Sequence, residues 1–296
     1  MPGHPLYLPA APNLNDSANP YRGLQAFEAE HSALFFGRTR LVEQLKDFVE
    51  VHPLTVVLGA SGCGKSSLVK AGLLPLLQQP STQSWQVLPT IRPGEHPLEA
   101  LNQALAQAGL PAVERFDDDA EDSGNTLVQS VAAWVARSPN CPLLIFIDQS
   151  EEVITLCASD RERYRFYQLI LTAVDTYRGQ LRVVISLRSD FEPQVRDSGL
   201  KFAPEALRKK GQAELKSRWQ KGRFLVPAMT RAELREAIEK PAEARVMYFE
   251  PYTLVDQLID EVANMPGALP LLSFALSELY LKYLKRQQTA AYSGSI

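Results

Sequence analysis

The residues Gly59-Ala60-Ser61-Gly62-Cys63-Gly64-Lys65-Ser66 fit the pattern G-x-x-x-x-G-K-[ST] at every position. Each residue type in that pattern has a physical task around a polyphosphate. Glycines let the backbone curl so that successive N–H groups converge on phosphate oxygens. A helix starting at the lysine presents its positive end to the same anion. Lys65 would reach the β- and γ-phosphates, and the Ser66 hydroxyl would ligate magnesium. The bland alternative is a glycine-rich turn between a strand and a helix. The flanks favour phosphate, because the apolar run Leu54–Leu58 has the pattern of a buried parallel strand and a helical stretch follows the loop. The predicted ligand is a nucleoside triphosphate, ATP with a magnesium ion. Gly59, Ala60, Ser61, Gly62, Cys63, Gly64, Lys65, Ser66 and the adjoining Ser67 would hold it.

A phosphate cradle of this kind needs a carboxylate at the end of a neighbouring strand to fix the magnesium shell. Leu143-Leu144-Ile145-Phe146-Ile147-Asp148 supplies one, an apolar run closed by an acid. Asp148 is therefore predicted beside Ser66 as a metal-side residue; the alternative is an ordinary strand end with an Asp turn. Hydrolysis further needs a group that orients water. Gln149 stands where many ATPases place a glutamate, with Glu151 and Glu152 just beyond. Either glutamate could do this work, and Glu152 is the preferred candidate. Both could instead be helix-start acids favoured by the helix dipole. If neither reaches the water, turnover is slow and the protein behaves as a switch. Arg188, in Ser186-Leu187-Arg188-Ser189-Asp190, would lie at a strand's carboxyl end, where open α/β sheets bind ligands. It is a candidate γ-phosphate sensor, or else a partner of Asp190 or Glu192.

Positioning these groups takes a particular architecture. Beyond Leu54–Leu58, strands are predicted at Trp85–Ile91, Pro142–Asp148, Leu181–Leu187 and Arg223–Val226. Helices are predicted at Thr39–Val51, Lys65–Leu77, Pro97–Ala108, Thr126–Ala136 and Arg161–Tyr177, where apolar residues recur on one face. Strands alternating with helices predict a five-stranded parallel sheet flanked by helices. From Thr230 the pattern turns all-helical. Thr230-x-x-Glu233 is a capping-box signal, and Tyr252–Val262 and Leu269–Leu284 are further helices. The expected division is a tail over 1–20, an α/β domain over 21–228, a small helical subdomain over 229–286 and a tail over 287–296. Pro111–Gly124 is acidic and loop-like.

Composition narrows the function classes. A formal net charge of −3 argues against dedicated nucleic-acid binding. The basic run Arg208-Lys209-Lys210 with Lys216, Arg218, Lys221 and Arg223 fits a solvated helix face. Cys63, Cys141 and Cys157 lack metal-ligand spacing and fit reduced thiols. No apolar run approaches the ~20 residues that span a bilayer, and no signal-peptide pattern opens the chain. A soluble, cytoplasmic protein is expected.

Several stretches together resemble the STAND class of signalling ATPases, related to AAA+ proteins, and within it the novel STAND branch. They are Asn19-Pro20-Tyr21-Arg22-Gly23-Leu24, Phe35-Phe36-Gly37-Arg38, the loop extended through Ser67 to Pro75, Asp148-Gln149-Ser150-Glu151-Glu152, Leu187-Arg188-Ser189-Asp190-Phe191, and Gly267-Ala268-Leu269-Pro270-Leu271-Leu272. The resemblance implies that Phe36, Gly37 and Arg38 lie near the adenine. It implies that Pro270, in a segment similar to the Gly-x-Pro motif, packs at the base or ribose, and that Arg188 contacts the γ-phosphate. Ser150 departs from the branch, which usually has Phe there. Such proteins are switches, often within large bacterial proteins that carry C-terminal repeat domains. ADP holds a closed monomer, exchange for ATP opens it, and the opened modules oligomerise. This chain would then be a module or fragment of a longer signalling protein, with repeat sensor or effector domains as partners.

Rival readings are a P-loop kinase or phosphotransferase acting on a small molecule, a GTPase, and a module that binds nucleotide only for structure. The chain shows no arginine cluster like a kinase lid and no Asn-Lys-x-Asp stretch for guanine.

Overall fold

The computed structural model describes residues 14–79, 85–113, 126–201, 217–263, 265 and 267–293. The acidic stretch over 114–124, the basic residues Arg208-Lys209-Lys210 and Lys216, most of the N-terminal tail and the last three residues lie outside the described residues. The described part divides into two compact units. One runs from Thr39 to Pro227; the other combines the chain up to Arg38 with the chain from Ala228 onward.

The Thr39–Pro227 unit is built on a five-stranded sheet in the order β2-β3-β4-β1-β5. The strands are β1 (Leu54–Gly59), β2 (Gln86–Val87), β3 (Leu143–Ile147), β4 (Leu181–Arg188) and β5 (Arg223–Leu225), and every pairing is parallel. Strands β1 and β3 are buried along their full length. Their continuous apolar sequences are what a sheet covered on both faces requires. β2 is shorter than its predicted span. Pro89 has no N–H to give to the ladder, so pairing stops and resumes at Ile91, which bridges Ile147.

Helix α1 (Thr39–Val51) begins and ends where its periodicity predicts. Arg182 of β4 fastens its C-terminal end, donating from Nε to the Val49 carbonyl at 2.9 Å and from Nη2 to the Glu50 carbonyl at 2.8 Å. The helix after β1, α2, is Lys65–Ser67 continued by a π-helical stretch Leu68–Leu73 and then Leu74–Gln78. Pro75 lies just past that stretch and cannot return a hydrogen bond to the preceding turn. The wider π turn, in which the Leu74 N–H reaches the Val69 carbonyl, accommodates it. Then come α3 (Pro97–Gln107), α4 (Leu127–Arg137), a single turn α5 (Glu152–Thr155), α6 (Asp160–Thr176) and α7 (Glu192–Lys201). The last of these lacks a clear apolar stripe and was not anticipated from sequence.

The second unit is helical: α8 (Arg231–Glu243), α9 (Thr253–Val262) and α10 (Leu269–Ser293). The Thr230 capping box forms, with the Thr230 N–H donating to Glu233 Oε2 at 2.7 Å and the Glu233 N–H to Thr230 Oγ1 at 3.2 Å. Leu234, Ile238, Val255, Ile259, Leu272 and Leu276 make its core together with Tyr21. The Tyr21 hydroxyl donates to the Ile238 carbonyl at 2.5 Å, and burial pushes its pKa up. Asn19 donates to Ser277 Oγ at 2.9 Å. Residues 21–38, expected with the sheet, therefore group with the helical unit.

Candidate functional site

The loop after β1 starts from a fully buried strand. Val56, Val57 and Leu58 are fully buried, and Gly59 pairs in register with Arg188 of β4. Gly62 and Gly64 then adopt φ of 71° and 91°. Glycine enters this left-handed region without the Cβ penalty, and two such residues, one on each side of Cys63, curl the chain into a cradle. Gly64 is the N-cap of α2, so the positive end of the helix opens onto the loop.

Lys65 is 9% exposed. Its ammonium donates to the Gly59 carbonyl at 3.0 Å and the Ala60 carbonyl at 2.8 Å, with Cys63 Sγ at 4.0 Å. All of these partners are neutral. A nearly buried cation satisfied by weak, uncharged acceptors is an anion site by its own chemistry. The loop fits a polyphosphate.

Asp148, 4% exposed, gathers the contacts at the end of β3. Its Oδ1 accepts from Ser66 Oγ at 2.7 Å and Ser186 Oγ at 2.6 Å. Its Oδ2 lies 3.4 Å from Lys70 Nζ. Ser66 and Asp148, predicted together, are thus brought together, and two oxygens at hydrogen-bond distance suit a shared divalent ion. Ser186 and Lys70 were missed. Ser186 had a signal, since it is the one small hydroxyl in the apolar strand β4. Lys70 had a weaker one, standing four residues after Ser66 on the same helix face.

Gln149 follows with φ of 55°, left-handed for a residue with a Cβ, at a strain of ~1–2 kcal/mol. Its N–H donates to Ser186 Oγ at 2.9 Å, which secures the sharp turn. Ser150 is fully buried; its hydroxyl and the Tyr167 hydroxyl are 3.0 Å apart. Burial pushes the Tyr167 phenol up.

The two glutamates part company. Glu152 is held by Arg92, from Nε at 2.8 Å and Nη2 at 2.6 Å, and by the Gly94 N–H at 3.2 Å. Glu151 Oε2 accepts the Arg188 N–H at 3.3 Å, so Glu151 is the acid beside the strand end next to the loop. A single helical step separates the two, and Arg92 pairs with the second, Glu152, the candidate preferred from sequence.

Arg188 sits at the end of β4 as expected, but its side chain is engaged. It donates to Asp190 from Nε at 3.1 Å and Nη2 at 2.6 Å and lies over the Phe191 ring at 5.0 Å. That hydrogen bonding holds the Asp190 carboxyl below its ordinary range, with a smaller contribution from Lys65.

Phe36, Gly37, Arg38 and Pro270 belong to the helical unit. Gly37 has φ of 81°. A Cβ there would stand 2.3 Å from the Glu233 carbonyl oxygen and 2.8 Å from the Met229 methyl. Arg38 is 5% exposed with Nη1 3.8 Å from Glu233 Oε2. Pro270 is in the first turn of α10, where its missing N–H is harmless. Gly37→Ala should destabilise the protein by about 3 kcal/mol, combining left-handed strain with overlap on a backbone oxygen. An unchanged urea midpoint would show that Gly37 is not needed for packing.

Comparison with solved structures gives the fold the same character. A Walker-type ATPase of Pyrococcus abyssi superposes with a TM-score of 0.53, at 16% identity, covering 91% of this chain and 77% of that one. The ORC1 protein of Aeropyrum pernix, solved in complex with DNA, gives 0.51 at 14% identity, covering 86% and 62%. The ORC2 protein of the same organism, in ADPNP and ADP complexes, gives 0.51 at 17%, covering 81% and 60%. At these identities the likeness is one of fold. No curated protein is significantly similar in sequence. The model of the novel STAND NTPase 1 family matches residues 20–294. With the P-loop and its strand-end carboxylate in place, the chain belongs to the novel STAND NTPase 1 family.

Proposed function

We propose that this chain is an adenine-nucleotide switch that binds ADP and ATP with magnesium and hydrolyses ATP slowly. One observation carries the reading. The Ser66–Asp148 contact beside the Lys65 loop supports phosphate and metal binding, whereas the support for water activation is thinner: Gln149 follows Asp148, and Glu152 is engaged by Arg92 and Gly94, which leaves Glu151 alone for that task. Binding is thus favoured over turnover.

Magnesium, when bound, would supply positive charge to neutralise the polyphosphate. Ser66 and Asp148 would hold it. Lys65 would leave the Gly59 and Ala60 carbonyls for phosphate oxygens, exchanging neutral acceptors for anionic ones. Glu151 would orient water. Arg188 would read the γ-phosphate, at the expense of its pair with Asp190. A ligand shifts a two-state equilibrium only through its differential affinity, and Arg188 is where ADP and ATP would differ. Phe36, Gly37, Arg38 and Pro270 enter the proposal as base- and ribose-side residues. Self-association in the ATP state and repeat sensor or effector domains as partners rest on the family resemblance.

Calorimetric titration with ADP, a non-hydrolysable ATP analogue and GTP, alongside steady-state turnover, tests the proposal. Adenine preference with turnover far below ordinary enzyme rates supports it; rapid multiple turnover with a small phosphate acceptor would sink it. Arg188→Ala should weaken the ATP analogue about tenfold and ADP little, the worth of one charge-assisted hydrogen bond. Asp190→Asn should shift the preference the other way. Equal effects on both nucleotides would remove Arg188 from the sensing role.

A further inference from the structure

Asp148 faces α2 with both oxygens. Oδ1 takes the Ser66 hydroxyl at 2.7 Å, and Oδ2 lies 3.4 Å from the Lys70 ammonium. The Asp148 and Lys70 side chains are 5% and 17% exposed, so the pair is partly buried, with the carboxylate the more enclosed partner. Lys70 belongs to the π-helical stretch Leu68–Leu73, a backbone form that concentrates at functional positions. A buried carboxylate is costly without a cation. Lys70 is such a cation, supplied by the protein itself, and it sits on the residue proposed for the metal.

We propose that Lys70 is a built-in counter-cation for Asp148, competing with the divalent ion there and letting the site hold a nucleoside diphosphate without metal. The inference rests on the nucleotide reading above and deepens it. An aspartate with no internal cation would leave the phosphate site short of positive charge until metal arrived, and diphosphate affinity would depend steeply on magnesium. With Lys70 in place the carboxylate is already neutralised. The anion then meets Lys65 and the helix end without an opposing charge nearby. The metal, when it binds, displaces an ammonium that already occupies one oxygen. The device thus trades tight metal binding for retention of ADP over a wide range of metal concentration.

The test measures ADP affinity by calorimetry in magnesium and in excess EDTA, for the intact chain, Lys70→Met and Lys70→Arg. Lys70→Met should raise the ratio of the two dissociation constants about tenfold, mainly by weakening binding in EDTA, as expected for one ammonium at ion-pair distance in a partly buried site. It should also lower the magnesium concentration for half-saturation. Lys70→Arg should stay near the parent. Because Lys70→Met leaves a buried carboxylate unpaired, the same substitution is also made on Asp148→Asn, where both charges are absent and the ratio should not change further. A ratio within twofold of the parent for Lys70→Met, in a chain that binds ADP, would overturn the proposal. So would an equal effect of Lys70→Met in the Asp148→Asn background. No ADP binding by the parent in either buffer would instead overturn the nucleotide reading itself.

Discussion

Lys65→Ala should lower affinity for both ADP and ATP by at least about a hundredfold while leaving the protein folded. Among the described residues the ammonium donates to the Gly59 and Ala60 carbonyls, with the Cys63 sulfur nearby, so its removal breaks no ion pair among them. The loop's curvature resides in Gly62 and Gly64 and does not need it. What is lost is a preplaced cation that would make two or more charge-assisted bonds to phosphate, each contributing about 1.5–3 kcal/mol. Two such bonds exceed a hundredfold. Calorimetry reads the affinity and thermal unfolding reads the fold. Unchanged affinity in a folded variant would mean that the loop is a structural turn. Lys65→Arg is an informative companion: it keeps the charge but is longer and planar, so a large loss there as well would show that the cradle requires a point charge.

How much of this was legible in the sequence depends on how local each feature is. The P-loop was legible because its constraints lie within eight consecutive residues and two flanking elements. Asp148 was legible because a buried parallel strand must end somewhere, and the first polar residue marks the end. The sheet unit followed from the alternation of strands and helices. Missing features arise from contacts distant in sequence. Ser186 reaches Asp148 across 38 positions, and no window of periodicity contains both. The Tyr21 hydroxyl bonds the Ile238 carbonyl across 217 positions, so nothing near Tyr21 indicated that the N-terminal segment packs with the last three helices. The choice between Glu151 and Glu152 was illegible for a subtler reason. Gln149 enters the left-handed region, which resets the helical phase of everything after it, and only then does Arg92 meet Glu152.

Arg188 shows the opposite case, where both readings of one residue were open and each describes a different state. As a partner of Asp190 it is what the structure holds; as a γ-phosphate sensor it is what the proposal requires. An exposed pair two residues apart is weak, so the arginine can exchange a carboxylate for a phosphate at little cost. A buried, fully satisfied arginine could not.

Asp148→Asn should abolish the magnesium-dependent part of nucleotide affinity and reduce ATP turnover by about a hundredfold or more, the scale on which losing a catalytic electrostatic group is felt. The substitution is close to isosteric. An amide oxygen can still accept from Ser66 and Ser186, which now lie 2.7 Å and 2.6 Å from Oδ1, so the strand end and the Gln149 turn should keep their geometry. What disappears is the charge. Lys70, 17% exposed, loses the Asp148 charge but is open enough to meet solvent, so stability should change little. ADP affinity in EDTA should therefore fall far less than in Lys65→Ala. The two variants separate the halves of the site: Lys65→Ala fails in both buffers, Asp148→Asn only where metal matters. Should Asp148→Asn retain the parent's magnesium dependence, the metal must be held elsewhere, and the Ser66–Asp148 contact would be reduced to a brace between α2 and β3.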